Sequence, residues 1–187
     1  MGIFSKIKDF FTCADFTRDA VAKSTEAEAR LMEMKADDAV QLSDEMLTEA
    51  VLLRCSVKAE SGGMDSLNAS ERALYIAADY ENDLNAGGPG HYLLNASETC
   101  ALELGASLRE LGAIKHGVFW MEFVKDHNID LSDLSGFKVE TEEDLEALNE
   151  KYHLRSFDDM LFEIDPEDTV HYLAPSFIRK NISSFFD

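Results

Sequence analysis

Positive charge is scarce in this chain: 17 lysines and arginines face 37 aspartates and glutamates, for a formal net charge of -20. Direct binding to DNA, RNA or an anionic membrane sets Lys and Arg against phosphate, so the composition argues against all three. Proline is nearly missing, with three residues, and alternating β-branched runs are rare, which points to helices. Cysteine is also sparse. Cys13, Cys55 and Cys100 are odd in number and far apart, so neither a disulfide framework nor a zinc spacing can be read from them, and they suit a reducing compartment. No apolar run has the length of a secretory signal or a membrane span, and Lys6 stands where a myristoylation signal needs Ser or Thr. The expectation is a soluble, cytoplasmic protein.

Catalytic and metal-binding patterns are missing as well. Of His91, His116, His127, His153 and His171, none stands four residues from another, and no HExxH or Cys/His cluster occurs. Asp126, Asp130 and Asp133 lack the glycine and terminal glutamate of an EF-hand. Gly87-Gly88-Pro89-Gly90 lacks the strand, the Lys-Ser/Thr and the spacing of a phosphate loop, and no basic residue lies between Arg72 and Arg109. Nothing fixes a base beside Cys100. No metal, cofactor or catalytic residue is expected. A hydrolase would need a concave pocket that gathers His91 or His116 with a carboxylate of perturbed pKa.

What is present is apolar and helical. Hydrophobic residues make up 45% of the chain, twelve of them Phe, so it has the material for a packed core. The organising stretch runs from Tyr80 to Asn95. Ala73, Ala77, Tyr80 and Leu84 share one helical face; Gly87-Gly88 can supply positive φ to end that helix, and Pro89 suits the first turn of the next. Upstream, Ile3, Ile7 and Phe10 begin an amphipathic segment, and a helix is expected over about 17–39. Ser43 reads as the N-cap of a helix with Met46, Ala50, Leu53 and Val57 on its stripe and Leu47 and Val51 beside it. Ser61-Gly62-Gly63 is the clearest linker, which divides the chain into an N-terminal helical arm, 1–62, and a domain, 63–187. Asn68 and Glu71 form a capping-box-like start. Ser97 caps a helix with Ala101, Leu104, Leu108 and Leu111 in register, and Gly105 inside it marks close helix contact. Residues 114–124, the most apolar run, are expected in the core. Asp165-Pro166 reads as the start of a helix that Pro175 kinks.

The acids are unevenly placed. Residues 126–168 hold fifteen acids against Lys138, Lys151 and Arg155, whereas the first thirty residues balance five against five. Glu140, Glu142, Glu143, Asp144, Glu146, Glu150, Asp158 and Asp159 form the candidate partner-binding set. Carboxylates four residues apart on a helix recur about every 6 Å along its axis, and paired helices of this kind could offer a DNA-binding protein something like a phosphate ladder. The plainer alternative is a solvated face that serves solubility alone.

The residues around the corner are similar to a known pattern. Asn85-Ala86-Gly87-Gly88, then His91-Tyr92-Leu93-Leu94-Asn95-Ala96-Ser97, then Ala101-Leu102-Glu103-Leu104-Gly105-Ala106, with Leu67 to Tyr75 as lead-in, resemble the bacterial family known as the domain of unknown function 4375. One described member of that family is an acidic DNA-mimic protein. The likeness covers roughly residues 67–180; Ala86, Pro89-Gly90 and Leu93-Leu94 depart from it. It implies an all-α fold, a homodimer, and binding to the DNA-contacting face of a regulator. Asn85, Gly87, Gly88, Asn95, Ser97 and Gly105 are its structural motif positions, with Asn95 and Ser97 as caps. The expectation is therefore an all-α, compact multi-helix bundle turning at a Gly-Gly corner. Functionally it is a non-enzymatic protein that binds a basic protein, either a DNA-binding regulator or, as an immunity-type neutraliser, a basic toxin or nuclease.

Overall fold

The computed structural model describes residue 29, residues 31–152 and residues 164–186. Among these residues every regular element is a helix or a 3-10 turn, so the fold is all-α, as composition and periodicity predict. The amphipathic segment at 3–11 and most of the helix expected over 17–39 lie outside the described residues. In chain order the helices are α1 (Ala36–Ala39), α2 (Asp44–Gly62), α3 (Ala69–Gly87), α4 (Pro89–Asn95), α5 (Glu98–Leu111), α6 (Ile114–Asp126), α7 (Glu142–Tyr152), α8 (Val170–Lys180) and α9 (Ile182–Phe186). Two compact units divide them: one comprises the chain up to Tyr75 together with Ala174 onward, the other Ile76–Leu173.

In the first unit the Ser43 hydroxyl accepts the Met46 N–H at 3.3 Å and caps α2. The face that α2 buries is Leu47, Val51 and Cys55, while Met46 is 55% exposed. Of the stripe expected through Met46, Ala50 is buried and Leu53 and Val57 are half-buried, while Leu47 and Val51, expected beside it, are buried with Cys55. Asn68 and Glu71 cap α3 reciprocally: Glu71 N–H donates to Asn68 Oδ1 (3.1 Å) and Asn68 N–H donates to Glu71 Oε2 (3.0 Å). Glu71 is buried and also accepts from Lys58 Nζ at 2.5 Å. The C-terminus is fastened here. Phe185 and Phe186 are buried, the Arg54 guanidinium lies 4.9 Å over the Phe186 ring, and Arg54 Nη1 donates to the carbonyls of Leu31 and Met32. Arg179 reaches Asp44 Oδ1 at 2.7 Å and the Leu42 carbonyl at 2.9 Å.

The second unit is built on aromatic edges. Tyr80, Tyr92 and Trp120 are fully buried, and their rings meet edge-on with centroids 5.4 to 5.8 Å apart, a geometry that aromatic quadrupoles favour. The hairpin of α5 and α6 turns on Gly112, at φ 91°, where the Ala113 N–H closes on the Leu108 carbonyl at 2.9 Å. At Gly105 a Cβ would stand 3.5 Å from Met121 Sδ and 4.0 Å from Trp120 Cδ1. That is ordinary van der Waals contact.

Two expectations need correction. Residues 114–124 are not uniformly core: Phe119, Trp120 and Phe123 are buried, but Ile114, Val118 and Met121 are each more than half exposed. A run apolar all round hides its own period, and α6 turns one face outward. Asp165-Pro166 starts a short 3-10 turn, with Asp165 as its N-cap and Pro166 in its first position, and not the α-helix that follows. The turn spans Pro166–Asp168, and α8 begins at Val170, with the Thr169 hydroxyl accepting the Tyr172 N–H at 3.3 Å. Pro175 then lies inside α8, which continues through it.

Candidate functional site

The corner is built from unequal glycines. Gly87 remains helical, and a Cβ there would meet His91 at 3.1 Å. Gly88 alone takes positive φ, 81°, and its N–H closes on the Leu84 carbonyl at 2.8 Å. One glycine supplies room and the other conformation, whereas the sequence suggested positive φ for both. Across the turn Asp83, 4% exposed, holds α4 against α3: Asn95 Nδ2 donates to Asp83 Oδ1 at 3.1 Å, and His91 Nδ1 lies 3.1 Å from the same oxygen. Asn95 is therefore a clasp and not a cap. Ser97 does cap, accepting the Cys100 N–H at 3.2 Å. Asn85 is exposed beside the turn. His91 was singled out in the sequence, but Asp83 and its pairing with His91 were missed, because their spacing matches no local motif; only the fold brings them together.

The carboxylates divide into two kinds. Many have structural work. Glu71 is in the capping box, Asp83 in the clasp, and Glu81 receives the backbone N–H groups of Val170 (2.6 Å) and His171 (2.9 Å) at the start of α8. Asp168 receives the Lys115 N–H at the start of α6 (2.8 Å), and Lys115 Nζ pairs with Asp165. Asp130 and Asp133 close turns onto Ser132 and Ser135, bonds that hold both carboxyls below the usual carboxylate range.

Glu140, Glu142, Glu143, Asp144, Glu146 and Glu150 are all exposed. Asp144 caps α7, accepting the N–H groups of Thr141 (2.9 Å) and Glu140 (3.2 Å), and its hydrogen bonds from Thr141 and the backbone lower its pKa. The side chains of the other five make no hydrogen bond or ion pair to any described residue. Glu142, Glu146 and Glu150 fall at i, i+4 and i+8, one row along α7. Leu148, on another face of the helix, is buried. Asp158 and Asp159 lie outside the described residues.

The second unit also contains a hollow of about 210 Å³, lined by Glu81, Leu84, Asn85, His116, Ile164, Thr169 and His171. His116 is 3% exposed, both ring nitrogens lack a hydrogen-bond partner among the described residues, and burial lowers its pKa so that the ring is neutral. Burial raises the pKa of Glu81, opposed by its two backbone hydrogen bonds. The hollow does join His116 to a carboxylate of perturbed pKa. It does not assemble a nucleophile with a base: Thr169, its hydroxyl, donates to the Pro166 carbonyl at 2.7 Å, and the His116 nitrogens bond to neither Thr169 nor Glu81. A base in contact with the group it activates is what nucleophilic catalysis requires. Among the described residues no group of three or more His, Cys, Asp or Glu side chains converges to hold a metal ion, and no helix is long and apolar enough to cross a membrane.

No curated protein and no solved structure matches the chain significantly. A family model described as DMP19-like protein matches residues 65–181, well over half of the chain, and the chain belongs to that family.

Proposed function

We propose that this protein is a non-catalytic, acidic DNA-mimic-type binder that occupies the basic, nucleic-acid-contacting surface of a DNA-binding protein. Membership of the DMP19-like family supports a DNA-mimic role. The observation that carries the binding surface is the exposed row of carboxylates on α7, which no described cation neutralises. Successive members of the row Glu142, Glu146 and Glu150 are separated by about 6 Å of helix rise. Two phosphate steps along one DNA strand cover about 6.8 Å of axis, so a Lys/Arg surface spaced for phosphates meets anions at a similar pitch. A net charge of -20 steers such a partner from a distance and weakens the complex as salt rises.

The test is competition. The protein is immobilised, a cell extract is applied at low salt, and a captured basic DNA-binding protein is challenged with duplex DNA. Capture should be released by duplex and by a salt gradient. It should fail for the variant E142Q/E143Q/E146Q/E150Q. Equal capture by that variant, or indifference to duplex, would refute the proposal.

A further inference from the structure

We propose that the hollow formed by α3, α6 and the start of α8 receives a single alkylammonium or guanidinium head, the side chain of a lysine or arginine presented by the basic partner. The identity of that donor rests on the function proposed above; the chemistry of the hollow does not.

The lining selects a cation by elimination. An anion would ordinarily be drawn to the N-terminus of a helix such as α8, but the Glu81 carboxylate already receives the N–H groups of Val170 and His171 there. Among the described residues a metal ion lacks its ligand set. What remains is a surplus of acceptors. Each Glu81 oxygen accepts one N–H and keeps further lone-pair capacity. Asn85 and Thr169 line the same space, and the buried His116 ring, neither of whose nitrogens has a hydrogen-bond partner among the described residues, offers one acceptor nitrogen in its neutral form. Burial keeps that ring neutral, so it does not repel a cation. Leu84 and Ile164 add apolar wall for a methylene stem.

Size agrees as well. A cavity of about 150 Å³ holds benzene, and 210 Å³ accommodates the five heavy atoms of a lysine side chain beyond Cα. A lysine or arginine docked here would fix the register of a partner that α7 alone attracts only by charge.

The test is an NMR titration of the full chain with n-butylammonium chloride and with Nα-acetyl-lysine amide, with butanol and potassium chloride as controls. Both amines should shift the Thr169 and His171 amides and the His116 ring saturably, at one equivalent per chain; butanol and potassium chloride should not. Glu81→Gln should weaken the amines by at least about fivefold, the effect of losing a charged acceptor. Because Glu81 also holds the start of α8, Asn85→Ala, at an exposed position, is the second variant and should weaken them by a smaller factor. Linear shifts, or equal shifts with potassium chloride, would overturn the site. Spermidine binding more tightly than the lysine amide would overturn the partner as the source of the head. The α7 glutamine variant should retain the amine shifts, so failure of this hollow and failure of the α7 surface are separate results.

Discussion

Asp79 offers the sharpest test of the electrostatics in the second unit. Its carboxyl, half-buried in α3, has no hydrogen bond or ion pair to a described residue. Desolvation, and then the charge of Asp83 one turn away, raise its pKa from 3.8 to about 6. Because the folded-state pKa is raised, the folded protein holds a proton that the unfolded chain releases. Stability therefore falls as pH climbs from about 4 to about 6 and carries the full penalty above that range. Two pKa units correspond to up to about 3 kcal/mol. Asp79→Asn keeps the shape and removes the charge, and Asn and Asp have similar helix propensity. Urea denaturation should show the variant more stable by up to about 3 kcal/mol near pH 7.5, with the gain shrinking towards zero near pH 4. A variant of equal or lower stability at the higher pH, or a difference independent of pH, would refute the reasoning.

Other consequences are as direct. His116, with no hydrogen-bond partner among the described residues, has a pKa lowered by burial. Its contribution to stability is present above the ordinary histidine pKa, near 6.5, and declines as pH falls below it. His116→Phe should flatten that decline in a thermal-melt series between about pH 7 and 5. Gly88→Ala should cost about 1–2 kcal/mol through its φ of 81°, whereas Gly105→Ala meets only ordinary contacts and should be neutral or gain up to about 1 kcal/mol; urea midpoints separate the two. The variant E146Q/E150Q, which leaves the favourably placed first-turn acids intact, should melt no lower than wild type at low salt, since it loses like-charge repulsion and no pairing among the described residues.

Local chemistry was legible wherever cause and effect lie within a turn or two. Ser43, Asn68 with Glu71, and Ser97 cap as their spacing predicts, because an N-cap is decided within three residues. The helical class followed from the scarcity of β-branched alternation and proline. What could not be read was direction: in α6 the apolar run conceals which side faces out, and only packing leaves Val118 exposed and Trp120 buried. Asn95 was readable as a polar residue ending a short helix, but its partner Asp83 lies twelve residues back, and the turn that joins them exists only in three dimensions. The hollow was illegible for the same reason. Glu81, His116 and Thr169 come from three separated segments, and no spacing rule connects them.

The division among the acids bears on function more than their number does. A chain acidic only for solubility has no reason to keep its structural carboxylates apart from its free ones. Here Glu71, Glu81, Asp83 and Asp168 each satisfy a helix start or a turn, duties that require one carboxylate at one place. Glu142 and Glu143 sit in the first turn of α7, where the helix dipole favours anions; Glu146 and Glu150 have no such duty among the described residues, and like charges at i and i+4 make the helix less stable by themselves. Asp144 anchors the row by capping its first turn, while Leu148 holds the helix through a buried face. Tyr152, stacked 4.9 Å from Phe137, holds the other end of the helix, and none of these contacts calls for the charges of Glu146 and Glu150. This is the ground on which the proposed basic partner rests.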